Sequence, residues 1–200
     1  LLHHPEVRNY TTIWMDTLRD GTFGLSNTNK LIRFYDGATG LKTGFTREAG
    51  YCISATAERD GMELIAVIMK GATADSRNAD AKTLLNYGFS TYTLVDVQPQ
   101  EPLALLPVTL GAADSVTLTL PPEGHTLLVE KSRAGDLTQT IDLPESVAAP
   151  VQAGQQLGTL TVTGGGDTLL TVPLLAAEPV EALSWGEMTT RMLQMLLFCA

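Results

Sequence analysis

Residues 51 to 69 decide the fold of the first half of the chain, and they read Tyr51-Cys52-Ile53-Ser54-Ala55-Thr56-Ala57-Glu58-Arg59-Asp60-Gly61-Met62-Glu63-Leu64-Ile65-Ala66-Val67-Ile68-Met69. Two runs rich in apolar residues flank the dipeptide Asp60-Gly61. Asp and Gly tolerate the positive φ angles that a tight two-residue turn requires, so the pattern predicts a β-hairpin.

The residues after the hairpin are typical of one amphipathic helix, which would pack on the two strands. Asp75 or Ser76 is the expected N-cap, because their side chains accept hydrogen bonds from free backbone N–H groups. Gly88 is the expected end of the helix. The sequence therefore predicts an α+β piece, antiparallel strands plus a helix, over residues 1–94.

Residues 95–183 have a different pattern, in which short runs of Val, Leu and Thr alternate with turn residues. Many short strands at this spacing predict a small β-sandwich or barrel. Gly164-Gly165-Gly166-Asp167 lies between two of the strands and could be a phosphate-binding loop or a hairpin turn. We favour the turn, because no Lys-Ser or Lys-Thr follows and no helix begins there.

Residues 184–200 sort into two faces at helical spacing. The apolar face carries Trp185, Met188, Met192, Met195, Leu196 and Cys199, and the other carries Glu187, Thr190, Arg191 and Gln194. A membrane-spanning helix needs about twenty apolar residues, more than this segment has. An amphipathic helix in a membrane interface and a helix packed on the sandwich are both possible. We favour the membrane, because Leu196-Leu197-Phe198 adds apolar residues beyond one stripe.

Composition excludes several classes of function. A net charge of −9 without a basic cluster argues against nucleic acid as a partner. The three His and two Cys have no metal-ligand spacing, and no Ser-His-Asp set is suggested, so we expect neither a metal nor a cofactor. Leu1-Leu2-His3-His4-Pro5 lacks the basic start and apolar core of a signal peptide, so none is expected in these residues.

The strand-like run Gly40-Leu41-Lys42-Thr43-Gly44-Phe45-Thr46 carries the candidate chemistry. In acyl transfer, Lys42 could hold a substrate carboxylate and support proton movement, while Thr43 offers a hydroxyl to the same carboxylate. Gly44 would let a peptide pair with the strand edge, and the Phe45 N–H could be an oxyanion donor. The alternative is an exposed strand end before a turn.

Residues 27–31, 36–46 and 49–51 closely resemble the low-molecular-mass penicillin-binding proteins, the D-alanyl-D-alanine carboxypeptidases of the penicillin-binding protein 5 type. The hairpin and the helix from Arg77 to Phe89 are similar as well, and residues 148–160 resemble the sandwich that follows the catalytic domain in that family. The resemblance implies part of a transpeptidase/β-lactamase-like domain (1–94), an all-β sandwich domain (95–183) and an amphipathic membrane-associating helix (184–200).

The resemblance also implies site residues. Lys42, Thr43 and Gly44 match the third active-site motif of the family, Lys-Thr-Gly, and Phe45 takes the oxyanion-hole position. Thr46 and Arg77 are the implied substrate-binding residues. For Arg77 the alternative is an ion pair with Asp75 or Asp80 at the start of the helix. Thr28 falls where some relatives have an arginine.

The other two family motifs, Ser-x-x-Lys and Ser-x-Asn, are absent before Lys42. Ser76-Arg77-Asn78 fits the second pattern but comes after Lys42, so we attribute the match to coincidence. We therefore expect the C-terminal portion of a serine-type carboxypeptidase that is inactive by itself. A non-catalytic interaction or spacing module is the alternative, and a β-lactamase or transpeptidase is the nearer rival.

The resemblance implies partners and a location for the full-length enzyme. The implied substrate is a peptidoglycan pentapeptide that loses its terminal D-Ala through an acyl-enzyme, and β-lactams would acylate the same serine. The implied location is extracytoplasmic, at the outer face of the cytoplasmic membrane, with the C-terminal helix contacting the membrane surface.

Overall fold

The computed structural model describes the backbone of residues 1–198 and the side chains of residues 1–193. The predicted positions Met195, Leu196 and Cys199 therefore lie outside the described side chains. The chain divides into two compact units, Leu1–Leu94 with Glu130–Ser132, and Val95–Val129 with the residues from Arg133 onward.

Four α-helices and two short 3-10 helices are described. The α-helices are α1 (Arg8–Thr11), α2 (Leu31–Phe34), α3 (Ala74–Thr91) and α4 (Trp185–Phe198), and the 3-10 helices are Pro5–Val7 and Lys131–Asp136. Fourteen strands are described: β1 (Met15–Leu18), β2 (Phe23–Ser26), β3 (Ala38–Thr46), β4 (Gly50–Arg59), β5 (Met62–Gly71), β6 (Tyr92–Asp96), β7 (Leu106–Thr109), β8 (Ser115–Val116), β9 (Leu118–Thr119), β10 (Thr126–Glu130), β11 (Thr138–Asp142), β12 (Val147–Ala148), β13 (Gln156–Gly164) and β14 (Asp167–Ala176).

The predicted hairpin is confirmed as β4 and β5, the last two strands of the antiparallel sheet β3-β4-β5. At its turn Asp60 has φ 50° and Gly61 has φ 75°. Two consecutive positive φ angles give a turn whose twist matches that of paired strands, which is why Asp-Gly suits this position.

One face of this sheet forms the core of the first unit. Successive side chains of a strand point to opposite faces, and the buried residues of β4 on this face are Ile53, Ala55 and Ala57. Helix α3 covers this face and buries Ala81, Leu85 and Phe89 against it. On the opposite face, Ile65, Val67 and Met69 of β5 are 57%, 60% and 75% exposed.

Helix α3 is present, but both of its predicted ends are wrong. Thr73 is the N-cap, and its hydroxyl accepts the Ser76 N–H at 3.0 Å while the Ser76 hydroxyl accepts the Thr73 N–H at 3.1 Å. This reciprocal capping box leaves Ser76 inside the helix. The helix also continues beyond Gly88 to Thr91. Leu64 packs so closely over Gly88 that an added Cβ would lie 2.5 Å from Leu64 Cδ1, so this glycine permits close packing inside the helix.

The second unit is an all-β sandwich, as predicted. Its larger sheet has the order β11-β13-β14-β9, and a smaller sheet has the order β12-β7-β8, with β12 parallel to β7. Alternate residues of β13 and β14 are buried, Leu160 and Val162 on one strand and Val172 and Leu174 on the other. The glycine-rich turn is a hairpin between these strands, with Gly165 at φ 65° and Gly166 at φ 92°, so the predicted turn is confirmed.

Helix α4, which belongs to the second unit, begins at a capping box and contacts Gly111 and Asp114 of that unit. The Ser184 hydroxyl and N–H donate to the Glu187 carboxylate at 2.7 and 2.8 Å, and these hydrogen bonds lower the pKa of Glu187. Arg191, from the predicted polar face, pairs with Asp114 and donates to the Gly111 carbonyl at 3.3 Å. Trp185 is 83% exposed. Among the described residues, no helix is both long and apolar enough to cross a membrane.

Replacing the N-cap of α3 should destabilise the first unit. Thr73→Ala removes the side chain that accepts the Ser76 N–H, and loss of such a cap costs about 1 kcal/mol. The measurement is urea unfolding of the chain followed by circular dichroism. The matched control is Thr83→Ala, which removes an exposed hydroxyl from the middle of the same helix. Equal stability of the two variants would contradict the assignment of Thr73 as the cap.

Candidate active-site wall

Strand β3 presents an open edge beside the predicted motif. Within the described residues β3 pairs with β4 alone, through Lys42 opposite Ser54, Thr43 opposite Ile53 and Gly44 opposite Cys52. No atom lies within 4 Å of the position that a Cβ of Gly44 would occupy. The backbone of β3 is therefore accessible at the motif, and an extended peptide has room to approach it.

An open cleft of about 560 Å3 runs along this edge. Its lining combines cations, hydroxyls and aromatic rings: Trp14, Ser26, Asn27, Thr28, Lys30, Lys42, Thr43, Gly44, Phe45, Tyr51, Ala74 and Arg77. The structure thus brings five of the six predicted site residues into one cleft. Thr46 is not among the lining residues; it is exposed at the end of β3, and its hydroxyl accepts the Ala49 N–H at 3.0 Å.

Lys42 lies on the sheet face opposite α3. Residues directly opposite each other in an antiparallel pair share a face, so Lys42 shares its face with Ser54, whereas Thr43 shares the face of the buried Ile53. The Lys42 ammonium is exposed and donates to the Thr43 carbonyl at 2.6 Å. The Lys42 ammonium is therefore accessible to a ligand at the open edge of β3, which Thr43 also lines.

The Thr43 hydroxyl has a partner that the sequence did not predict. Thr28, in the loop before α2, places its Oγ1 2.7 Å from Thr43 Oγ1. The adjacent Asn29 is 2% exposed, and its side chain donates to the Gly40 carbonyl at 2.9 Å and accepts the Leu31 N–H at 3.1 Å. Asn29 therefore ties this loop to β3 from inside the unit.

Arg77 is buried at the first turns of α3 and points at β4. Its Nη1 donates to the Cys52 carbonyl at 3.3 Å, and its Nε and Nη2 donate to the Asn78 side chain at 3.2 and 3.1 Å. Asp75 is paired with Lys30 at 3.1 Å. Burial lowers the pKa of the Arg77 guanidinium, but an arginine side chain stays cationic in proteins. Arg77 thus adds a fixed positive charge to the cleft.

Phe45 follows the motif and forms an aromatic pair with Tyr51. The two ring centroids are 4.5 Å apart, and the Phe45 side chain is 58% exposed. The pair closes one end of the cleft with apolar surface. Among the described residues no group of three His, Cys, Asp or Glu side chains is placed to hold a metal ion.

Two family models match consecutive parts of the chain. The D-alanyl-D-alanine carboxypeptidase family matches residues 1–73, which include the cleft residues of β3, and the C-terminal domain of penicillin-binding protein 5 matches residues 90–182. The chain belongs to the penicillin-binding protein 5 type of D-alanyl-D-alanine carboxypeptidases. The family resemblance of the sequence is therefore confirmed.

Curated members of this carboxypeptidase family align with most of the chain. The D-alanyl-D-alanine carboxypeptidase DacF of Bacillus subtilis is 34% identical over 186 residues, which are 90% of this chain and 48% of DacF. DacA of Escherichia coli is 32% identical over 143 residues, which are 70% of this chain and 35% of DacA. The chain spans about half or less of the length of these carboxypeptidases.

A solved structure of the same carboxypeptidase type supports the fold. Penicillin-binding protein 5 from Haemophilus influenzae superimposes with a TM-score of 0.71 at 24% identity, over 90% of this chain and 53% of that protein. The predicted fold class, part of a transpeptidase-like domain followed by a sandwich, is thereby confirmed.

Replacing the buried Asn29 should loosen the cleft. Asn29→Asp keeps the shape but cannot donate to the Gly40 carbonyl and places a charge where only 2% of the residue is exposed. Leaving a buried hydrogen-bonding group without its partner costs about 1–3 kcal/mol. We expect a lower urea midpoint together with shifted amide NMR resonances of Thr28 and Thr43. The exposed Asn86→Asp is the control, and parent-like behaviour of both variants would refute the role given to Asn29.

Proposed function

We propose that the cleft along β3 is the substrate-binding wall of a serine-type D-alanyl-D-alanine carboxypeptidase. The observation that supports this most is the convergence of Lys42, Thr43, Gly44 and Arg77, from β3 and α3, on one open strand edge. The substrate is a peptidoglycan stem peptide that ends in D-Ala-D-Ala. The complete enzyme transfers the peptide to a serine, releases the terminal D-Ala and hydrolyses the acyl-enzyme, and a β-lactam acylates the same serine.

Each proposed site residue has one task in this scheme. Lys42 attracts the terminal carboxylate and supports proton movement at the attacking hydroxyl, and Thr43 donates a hydrogen bond to the carboxylate. Arg77 adds fixed positive charge from behind the strand. Gly44 keeps the edge open for the peptide backbone, the Phe45 N–H stabilises the oxyanion, and Thr46 binds substrate beyond the motif.

Two rival functions are distinguished by the second unit and by the cleft. A β-lactamase or transpeptidase does not account for a trailing domain that matches the penicillin-binding protein 5 C-terminal domain. A non-catalytic interaction or spacing module, in which β3 is a remnant, does not require a charged cleft at an open edge. Binding of a D-Ala-D-Ala peptide to this chain would therefore favour the carboxypeptidase.

A titration tests the proposal directly. We expect the chain to bind N-acetyl-D-alanyl-D-alanine reversibly, with shifts of the Lys42 to Phe45 amides in NMR spectra. Lys42→Met should weaken binding about three-fold to ten-fold, because one charge-assisted contact with the carboxylate is lost. Lys82→Met, which removes a half-buried ammonium of α3 that does not line the cleft, is the matched control. Absence of saturable binding by the parent chain would support the spacing module instead.

The same proposal predicts that the 200-residue chain forms no acyl-enzyme. The hydroxyl of Ser76, the serine of the Ser76-Arg77-Asn78 match, is engaged with Thr73 at the start of α3. Intact-mass measurement after incubation with a fluorescent penicillin should therefore show no covalent adduct. A stoichiometric adduct on any serine would show that this chain carries its own nucleophile.

We also propose that the protein acts outside the cytoplasm, at the outer face of the cytoplasmic membrane, and that α4 lies in the membrane interface. Arg191 and the half-buried Met188 face the sandwich, beside Leu110 and Leu183. Met192 lines the same groove and is 60% exposed, whereas Trp185 and Leu193, which do not line it, are 83% and 58% exposed. A helix that packs on the sandwich with one side and exposes apolar side chains elsewhere is suited to a membrane interface. In such helices Trp lies near the lipid headgroups.

Sedimentation with liposomes tests the anchor. The double variant Trp185→Ser/Leu193→Ser removes two exposed apolar side chains and should lower the bound fraction about ten-fold or more, since each buried apolar side chain contributes roughly 1.5–3 kcal/mol. Ile65→Ser/Val67→Ser removes a similar exposed apolar pair from β5 and is the control. Binding that survives loss of residues 184–200 would contradict the anchor.

A further inference from the structure

We propose that Thr28 is a positioning residue that orients the Thr43 hydroxyl toward the substrate carboxylate. This inference rests on the proposed function, because it assigns a donor to the carboxylate site described above. The observation that carries it is the 2.7 Å contact between Thr28 Oγ1 and Thr43 Oγ1 at the edge of the cleft. Both residues line the cleft, yet they are fifteen positions apart and come from different elements.

The loop that carries Thr28 is held on both sides. The Asn27 amide donates to the Thr11 and Ile13 carbonyls at 3.2 and 2.9 Å, and its side-chain oxygen accepts the Asn29 N–H at 2.9 Å. Asn29 in turn donates to the Gly40 carbonyl at the start of β3. Because its two neighbours are anchored, Thr28 has a defined position although its own side chain is exposed.

The number of hydrogens on the two hydroxyl groups determines which of them donates when substrate is bound. A hydroxyl has one hydrogen, and an ionised carboxylate only accepts hydrogen bonds. When Thr43 donates its hydrogen to the substrate, its contact with Thr28 requires Thr28 to be the donor. The resulting series, Thr28 to Thr43 to carboxylate, polarises the Thr43 hydroxyl and strengthens the final hydrogen bond.

The contact also limits the rotation of the Thr43 hydroxyl. Thr43 Oγ1 lies 2.7 Å from Thr28 and on the edge where the ligand binds, so without a donor at position 28 the hydroxyl is free to rotate. Donation by Thr28 occupies an acceptor site of Thr43 and leaves the Thr43 hydrogen directed to the cleft. Thr28 thus acts on the substrate through Thr43 and without touching it.

The test is a set of NMR titrations of the full chain with two ligands, N-acetyl-D-alanyl-D-alanine and N-acetyl-D-alanine ethylamide, which lacks the carboxylate. Thr28→Val keeps the side-chain shape and removes the hydroxyl, so the Kd for the carboxylate ligand should rise about three-fold to ten-fold. The Kd for the ethylamide should not change. Thr28→Ser keeps the donor and should restore binding, and Thr83→Val, which removes a hydroxyl remote from the cleft, should behave as the parent.

The outcomes distinguish a failure of the role proposed for Thr28 from a failure of the proposed carboxylate site. If Lys42→Met weakens binding of the carboxylate ligand but Thr28→Val does not, the role of Thr28 is overturned and the proposed function stands. Equal losses for both ligands, or failure of Thr28→Ser to restore binding, would show a merely structural role and also overturn the inference. If the parent chain binds neither ligand, the carboxylate site itself is refuted, and the role of Thr28 with it.

Discussion

The close approach of helix α3 to the sheet β3-β4-β5 is the contact on which the cleft depends. Alanines make it possible, since Ala55 and Ala57 of the middle strand and Ala81 of the helix are fully buried. Small side chains bring the helix backbone near the strands, and close packing leaves little freedom to shift it. Arg77 lies in the first turn of this helix, so the same contact fixes where its guanidinium meets the Cys52 carbonyl.

Hydrogen bonds of polar groups hold β3 in place at the cleft, outside the apolar core. On one side β3 is paired with β4, and on the other the Asn27–Asn29 loop reaches it through the buried Asn29. Breaking the hydrogen bonds of a buried amide that pairs with two backbone groups costs free energy. The Asn29 side chain therefore holds the loop firmly against β3. The open edge is therefore presented by a rigid frame, although the edge itself is exposed.

The parts of the structure that could be predicted from the sequence are those determined by local chemistry. Asp60-Gly61 and Gly165-Gly166 indicate their own turns, because few residues adopt positive φ. The ends of α3 could not be predicted in the same way. Thr73, Asp75 and Ser76 are all acceptable N-caps, and the packing of the helix on the sheet determines which of them is the N-cap. The contact between Thr28 and Thr43 has no local signal at all, since only the folded chain brings these residues together.

The register between β3 and β4 determines which face of the sheet each side chain of the Lys-Thr-Gly motif occupies. Lys42 and Thr43 occupy opposite faces of β3 because of the pairing of Lys42 with Ser54 and of Thr43 with Ile53. A slip by a single residue would exchange the two faces and turn the ammonium toward the apolar core under α3. A strand side chain lies on one face of the sheet or on the other, so a gradual slide of β3 along β4 cannot tune this site. Variation among such proteins has to come from the groups around β3, while the strand itself stays in place.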